Sequence, residues 1–190
     1  MIYSLTDIGL LAILEGLRGR TSIRELYLDQ NDFGPRATQA LVNLVTGRNC
    51  HWSLLHLSQA NFRNADCVAL ADSLHSNLSL TDLDLSRNSI GHTDSLQATH
   101  RGAVVAIAEV LESMNCHLQK LNLAWNLIRD NSAQRLSQAF LLNHSITFLD
   151  VSSNRLGEIG AYQLADALQW NKTLNHLNLA NNGIASCAGM

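Results

Sequence analysis

The chain has 190 residues, a formal net charge of −3, 46% hydrophobic side chains and 15% charged ones. That length suits one ordinary domain, and the apolar content suits a compact fold rather than a disordered chain. The charge gives no general attraction to nucleic acid or anionic membrane, and no run approaches the roughly 20 apolar residues of a membrane span. Met1-Ile2-Tyr3-Ser4 lacks the basic region and cleavage site of a signal peptide, so the expectation is a soluble cytoplasmic protein.

Read in order, the chain repeats itself. After a first unit with Ile2, Leu5 and a helix from Gly9 to Leu17, the run Ile23-x-x-Leu26-x-Leu28-x-x-Asn31-x-Phe33 appears. It returns as Trp52, Leu55, Leu57, Phe62 around Ala60, then as Leu80, Leu83, Leu85, Asn88, Ile90. Leu118, Leu121, Leu123, Asn126, Ile128 follow, then Ile146, Leu149, Val151, Asn154, Leu156, and last Leu174, Leu177, Leu179, Asn182, Ile184. Counted from Tyr3, the asparagine column advances by 28, 29, 28, 38, 28 and 28 residues, the mark of a solenoid. Apolar residues ten and fourteen positions after the column (Ile13/Leu17, Leu41/Val45, Leu70/Leu74, Leu136/Phe140, Leu164/Leu168) form an i, i+4 helical stripe. Pro35 after Gly34 fits the first helical position. Each unit therefore predicts strand, turn, helix and return loop.

The pattern L-x-x-L-x-L-x-x-N-x-I-G followed by an Ala/Leu helix resembles the leucine-rich repeats of the ribonuclease-inhibitor type, over essentially all of residues 1–190. The resemblance implies an α/β horseshoe of about six strand–helix repeats in a single domain, with a parallel sheet on the concave face and helices outside. Packing distances give the same bend, because parallel strands stack about 4.8 Å apart and helices need roughly 8–10 Å. For most relatives the resemblance implies protein binding: inhibitors, innate immune receptors, actin-capping and ciliary scaffolds.

Repeat position also decides several local motifs. Cys50-His51 and Cys116-His117 occupy equivalent places two repeats apart. Two strand steps, about 10 Å, are too far for a disulfide and defeat a shared zinc site. Four thiols, Cys50, Cys67, Cys116 and Cys187, are expected reduced. The sequons Asn77-Leu78-Ser79, Asn143-His144-Ser145 and Asn171-Lys172-Thr173 all fall just after a predicted helix. They are expected to close it in the left-handed conformation rather than carry glycans. The asparagine column is expected to satisfy backbone groups of its own and adjacent repeats. At Ala60 either Asn61 substitutes or the loop is looser.

Strand alternation exposes four columns on the concave face. They are Glu25, Leu54, Asp82, Lys120, Phe148, His176; then Tyr27, His56, Asp84, Asn122, Asp150, Asn178; then Asp29, Ser58, Ser86, Ala124, Ser152, Ala180; and last Gln30, Gln59, Arg87, Trp125, Ser153, Asn181. The candidate partner-binding residues are Tyr27, His56, Asp82, Asp84, Arg87, Asn122, Trp125, Phe148, Asp150 and His176. Aromatic residues and arginine are frequent energetic anchors. Phe148 is expected to be exposed; Trp125 either stacks with Arg87 or packs on its own loop. The acidic lean from Glu25, Asp29, Asp82, Asp84 and Asp150 prefers a partner with a basic segment. Asp82 and Asp84 share a face as an acid and base would, but no nucleophile, phosphate loop or metal trio accompanies them. A non-enzymatic module without cofactor is expected.

The interval of 38 marks an insertion, residues 92–101, before apolar periodicity resumes at Ala103 with Ile107 and Leu111. Its His92, Asp94 and His100 lack the spacing and fourth ligand of a metal site; as a loop it either binds or is merely tolerated. The first and last units lack the polar caps that terminal repeats carry, so the chain is expected to be a segment of a longer array or to have its ends covered by other chains or copies. Two further functions stay open. One is a structural subunit packed in a large cytoskeletal or ciliary assembly; the other is a GTPase-activator-like regulator, from the resemblance to Ran-activating proteins.

Overall fold

The computed structural model describes residues 4–47, 49–91 and 101–184, without the side chain of Asp130. Six strands alternate with six helices: α1 (Asp7–Gly16), β1 (Glu25–Tyr27), α2 (Pro35–Thr46), β2 (Leu54–His56), α3 (Asn64–Leu74) and β3 (Asp82–Asp84). There follow α4 (Ala103–Glu112), β4 (Lys120–Asn122), α5 (Asp130–Leu142), β5 (Phe148–Asp150), α6 (Gly157–Trp170) and β6 (His176–Asn178). The strands form one parallel sheet in chain order, β1 to β6. Every strand pairs with the next at the same repeat position, so Leu26, Leu55, Leu83, Leu121, Leu149 and Leu177 form one row. The helices pack in chain order behind the sheet. This is the leucine-rich-repeat solenoid that the periodicity predicts, with strands on the concave side.

The core lies between the two layers. The leucines of the central strand row from Leu26 to Leu149 are buried, as are Leu28, Leu57, Leu85, Leu123 and Val151 beyond them. Leu41/Val45, Leu70/Leu74, Ile107/Leu111 and Leu136/Phe140 meet them from the helices. Phe33 and Phe62, in the turns from β1 to α2 and from β2 to α3, touch edge to face, 5.1 Å between centroids. Each such side chain contributes about 1.5–3 kcal/mol on burial.

The first helix departs from the expected stripe. It starts at Asp7 and buries Leu10 and Leu14 completely, leaving Ile13 48% exposed and Leu17 only partly covered. Its phase is set by Asp7, whose carboxylate accepts the N–H groups of Gly34 at 3.2 Å and Ala37 at 2.7 Å, at the start of α2. Turning Asp7 toward the next helix turns its i+3 and i+7 neighbours, Leu10 and Leu14, inward. In α6, Leu164 is buried while Leu168 is half-buried.

The asparagine column behaves as predicted. The Asn154 amide nitrogen donates to Leu123 O (2.9 Å), Val151 O (2.9 Å) and Ser152 O (3.1 Å), and its oxygen accepts the Ile128 N–H (3.1 Å). Asn88, Asn126 and Asn182 repeat this pattern, each reaching one carbonyl of the preceding repeat. At Ala60 the gap is filled by backbone: the Phe33 N–H, whose counterparts elsewhere bond an asparagine oxygen, donates to Ala60 O at 3.2 Å. Asn61 does not substitute; it turns outward and donates to Asp32 at 2.8 Å.

The sequon asparagines form a second ladder, by a route other than the one expected. Asn143 and Asn171 are extended, with φ of −79° and −68°, so neither closes a helix in the left-handed region. Instead each amide reaches back into the preceding repeat, Asn77 to Val45 O, Asn143 to Leu111 O and Asn171 to Phe140 O. Each side-chain oxygen accepts two N–H groups of the turn that follows. The nitrogen that a glycan would need is thus held against a helix end. Cys50, Cys67 and Cys116 are free thiols; Cys187 lies outside the described residues.

Residues 92–100 of the insertion, with His92, Asp94 and His100, lie outside the described residues as well. At its far border Arg101 pairs with Asp72 of α3 and Glu109 of α4. Gly91 sits at φ +88° against the backbone of the next loop, where a Cβ would come within 2.9 Å of the Leu127 carbonyl. Among the described residues no helix is long and apolar enough to cross a membrane.

Candidate interaction face

Because the pairing is in register, each concave column becomes a row of neighbouring side chains, and the chemistry of adjacent repeats decides which groups are spent. Asp84 and Asp150 are spent. Asp84 accepts the Ser86 N–H at 2.7 Å with one oxygen and the Asn122 amide at 2.8 Å with the other. Asp150 does the same with Ser152 (2.8 Å) and Asn178 (2.9 Å). Asn122 in turn accepts the Ala124 N–H at 3.0 Å. Three of the candidate residues, Asp84, Asn122 and Asp150, therefore tie strand ends together, each Asp84 oxygen accepting one hydrogen bond.

A second set joins the ends of β1 and β2 to the beginnings of the later strands. Tyr27, 56% exposed, meets His56 edge to face at 5.0 Å and donates its hydroxyl to Glu25 at 3.1 Å. That hydrogen bond, with some burial and the nearby carboxylates of Glu25, Asp82 and Asp29, raises the phenol above its ordinary value. Asp82 lies between two bases, 3.6 Å from His56 Nε2 and 3.3 Å from Lys120 Nζ. Lys120 was absent from the candidates, although its place beside Asp82 in one column was the signal for it. At the other end Phe148 is half-buried, correcting the expectation of exposure, because the His176 ring stacks on it at 4.4 Å and 6°.

A second feature stands at the strand exits. Arg87 holds its guanidinium 4.8 Å from the centre of the Trp125 ring, and Trp125 is 54% exposed. Of the two readings of Trp125, stacking with Arg87 holds. The structure thus brings Tyr27, His56 and Asp82 together, Phe148 and His176 together, and Arg87 and Trp125 together. Among the described residues no three His, Cys, Asp or Glu side chains converge as a metal set.

The family model described as Leucine Rich repeat matches residues 76–93, 115–137, 142–165 and 171–186. The chain is a leucine-rich-repeat protein of the ribonuclease-inhibitor type. Among curated leucine-rich-repeat proteins, it is 27% identical over 175 residues to "NACHT, LRR and PYD domains-containing protein 3" of Rattus norvegicus, covering 92% of this chain. It is 28% identical over 174 residues to the ribonuclease inhibitor of Sus scrofa, covering 90% of this chain. The chain spans 16% of the length of the first relative and 36% of the second. Among solved leucine-rich-repeat folds, the tropomodulin C-terminal domain of Caenorhabditis elegans superposes with a TM-score of 0.63 at 13% identity, over 85% of this chain and 92% of that one.

Proposed function

We infer that the chain is a non-enzymatic protein-interaction module whose concave sheet docks a protein partner presenting a basic segment. One observation carries this reading: rings and charges from six adjacent repeats sit in register on one open face, beside the leucine, asparagine and strand-end rows that hold the fold together. Tyr27, His56, Phe148 and His176 offer flat apolar surface with a polar edge, the composition of binding hot spots. Glu25, Asp29 and Asp82 set the sign of the preferred partner. The porcine relative, by its name an inhibitor of ribonuclease, and the repeat family as a whole support binding over catalysis.

A reducing compartment fits the three free thiols. The test is affinity capture of native partners on immobilised wild type, with a Tyr27→Ala/Phe148→Ala variant and a control in the exposed loop after α4, Met114→Asp, in parallel. Recovery should fall at least about tenfold for the concave variant and stay level for the control. Equal recovery on all three would refute the concave surface.

A further inference from the structure

The residue just before the asparagine column is left-handed in every repeat from β1 onward: Gln30, Gln59, Arg87, Trp125, Ser153 and Asn181 all have φ between 53° and 58°. The backbone enforces this. The amides of Gln30, Gln59, Arg87, Trp125 and Ser153 each donate to the carbonyl one repeat on, at 2.7–2.9 Å, and the asparagine that follows, or Ala60, fixes the next residue. The fold needs no particular side chain here, as the serine, asparagine and glutamines at equivalent places show. Bulky L-residues rarely adopt this conformation, yet two consecutive repeats place an arginine and a tryptophan in it, side by side and in contact.

Arg87 also differs from three arginines that hold carboxylates. Arg18 pairs with Glu15, Arg101 with Asp72 and Glu109, and Arg135 with Glu112. Arg87 stands on an acidic face and, among the described residues, meets the Trp125 ring and no carboxylate. Its neighbours are committed elsewhere: Asp84 to Ser86 and Asn122, Asp82 to His56 and Lys120. A guanidinium held over an indole face by a cation–π contact still has N–H groups to donate, and two of them match a carboxylate with parallel hydrogen bonds.

We propose that Arg87 and Trp125 form a seat for an acidic side chain, aspartate or glutamate, of the partner segment that crosses the concave sheet. The carboxylate bonds the Arg87 edge while the stem of the acidic residue lies on the exposed part of Trp125. A side chain is favoured over a chain terminus because the sheet extends to both sides of the seat, with β1 and β2 on one flank and β5 and β6 on the other. A partner passing through meets polar groups both before and after Arg87. The seat rests on the concave face being the docking surface, and it gives the partner a mixed signature, basic opposite Asp82 and Glu25 and acidic opposite Arg87.

The experiment is selection of linear peptides displayed on phage against the folded wild-type chain, followed by affinity measurement with synthetic, C-terminally amidated peptides. Enriched peptides should fix Asp or Glu at one position, and its change to Asn or Gln should weaken binding at least about tenfold, as for a hydrogen bond between charged groups. Arg87→Gln should cost a similar factor, and the two changes together should cost no more than either alone, the mark of direct coupling. Trp125→Ala should weaken the same peptides, and Arg87→Glu should select Lys or Arg in place of the acid; circular dichroism confirms that each variant is folded. Acidic peptides bound equally by wild type and Arg87→Gln would overturn the seat, as would affinity that vanishes on amidation, which would assign it to a chain terminus. Peptides that depend on Tyr27 and Phe148 but not on Arg87 would overturn the seat and leave the concave reading standing. A selection that enriches no peptide for this face would overturn both.

Discussion

The Asn143 side-chain nitrogen donates to the Leu111 carbonyl at 2.8 Å, bridging 32 residues of sequence, while its oxygen accepts the N–H groups of Ser145 and Ile146. The residue is 3% exposed, so each of these groups would be left buried without it. Asn143→Ala should cost about 2–4 kcal/mol, since every orphaned buried group costs about 1–3. Asn143→Asp keeps the acceptor but turns a carboxylate oxygen toward a carbonyl, and should cost at least as much. Urea unfolding at neutral pH measures both; a change below about 1 kcal/mol would show that the ladder relaxes without loss.

The column asparagines allow a matched comparison. Asn154→Ala removes bonds to Leu123, Val151, Ser152 and Ile128 in a buried site, with an expected loss of about 3 kcal/mol. Asn61→Ala removes one exposed bond to Asp32 and places alanine at a left-handed φ of 57° that asparagine tolerates better, and should cost no more than about 1 kcal/mol. Equal effects would contradict the assignment of Ala60, rather than Asn61, to the column.

Two glycines separate conformation from space. Gly157 has φ +60° and open surroundings, so Gly157→Ala should cost about 1 kcal/mol. Gly91 combines φ +88° with a Cβ position 2.9 Å from the Leu127 carbonyl, and Gly91→Ala should cost clearly more, about 2–4 kcal/mol, because backbone must move. Thermal unfolding of the two variants side by side gives the ordering.

Burial pushes the Cys67 thiol up to about 12 from an ordinary 9.0, helped by Asp66. Below pH 9 both folded and unfolded chains keep it protonated; between 9 and 12 only the unfolded chain ionises. Stability linked to this group is therefore fully present at neutral pH and falls by about 1.4 kcal/mol per pH unit through that window. The difference in unfolding free energy between pH 8 and pH 10.5 should be smaller in Cys67→Ala than in wild type. In the native protein iodoacetamide should label Cys50 and Cys116 ahead of Cys67, checked by peptide mass mapping.

The layers and register were legible because they rest on periodicity: an apolar alternation for each strand, an i, i+4 stripe for each helix, and the resumption at Ala103 after the insertion. Apart from the asparagine column and the Arg87–Trp125 stack, contacts between a residue and the next repeat were not. Asp7 sets the phase of α1 through bonds to Gly34 and Ala37, partners that no pattern within the helix announces. Asn143 belongs to a residue type that commonly closes helices in the left-handed region, yet its amide reaches Leu111, one helix back. In the interaction face, the columns named the right neighbours but not their allegiances. Asp84 beside Asn122 and Asp150 beside Asn178 are neighbours in one row, joined by amide-to-carboxylate bonds that no column composition announces. Phe148 next to His176 likewise loses exposure to a ring in its own row.

The alanine at position 60 has a dynamic consequence. Asn88, Asn126, Asn154 and Asn182 each fasten one repeat to the carbonyl of the one before, and the Ala60 methyl cannot. Stability in a solenoid depends on its neighbour interfaces, so the boundary between β1–α2 and β2–α3, which lacks that side-chain bond, is expected to part first. Native-state hydrogen exchange would then report two foldons, the amides around Leu26 and Leu41 opening at lower free energy than those around Leu121 and Leu136. Of the concave groups, Tyr27 rides on the looser portion, while Arg87, Trp125 and Phe148 stand on the part that stays closed.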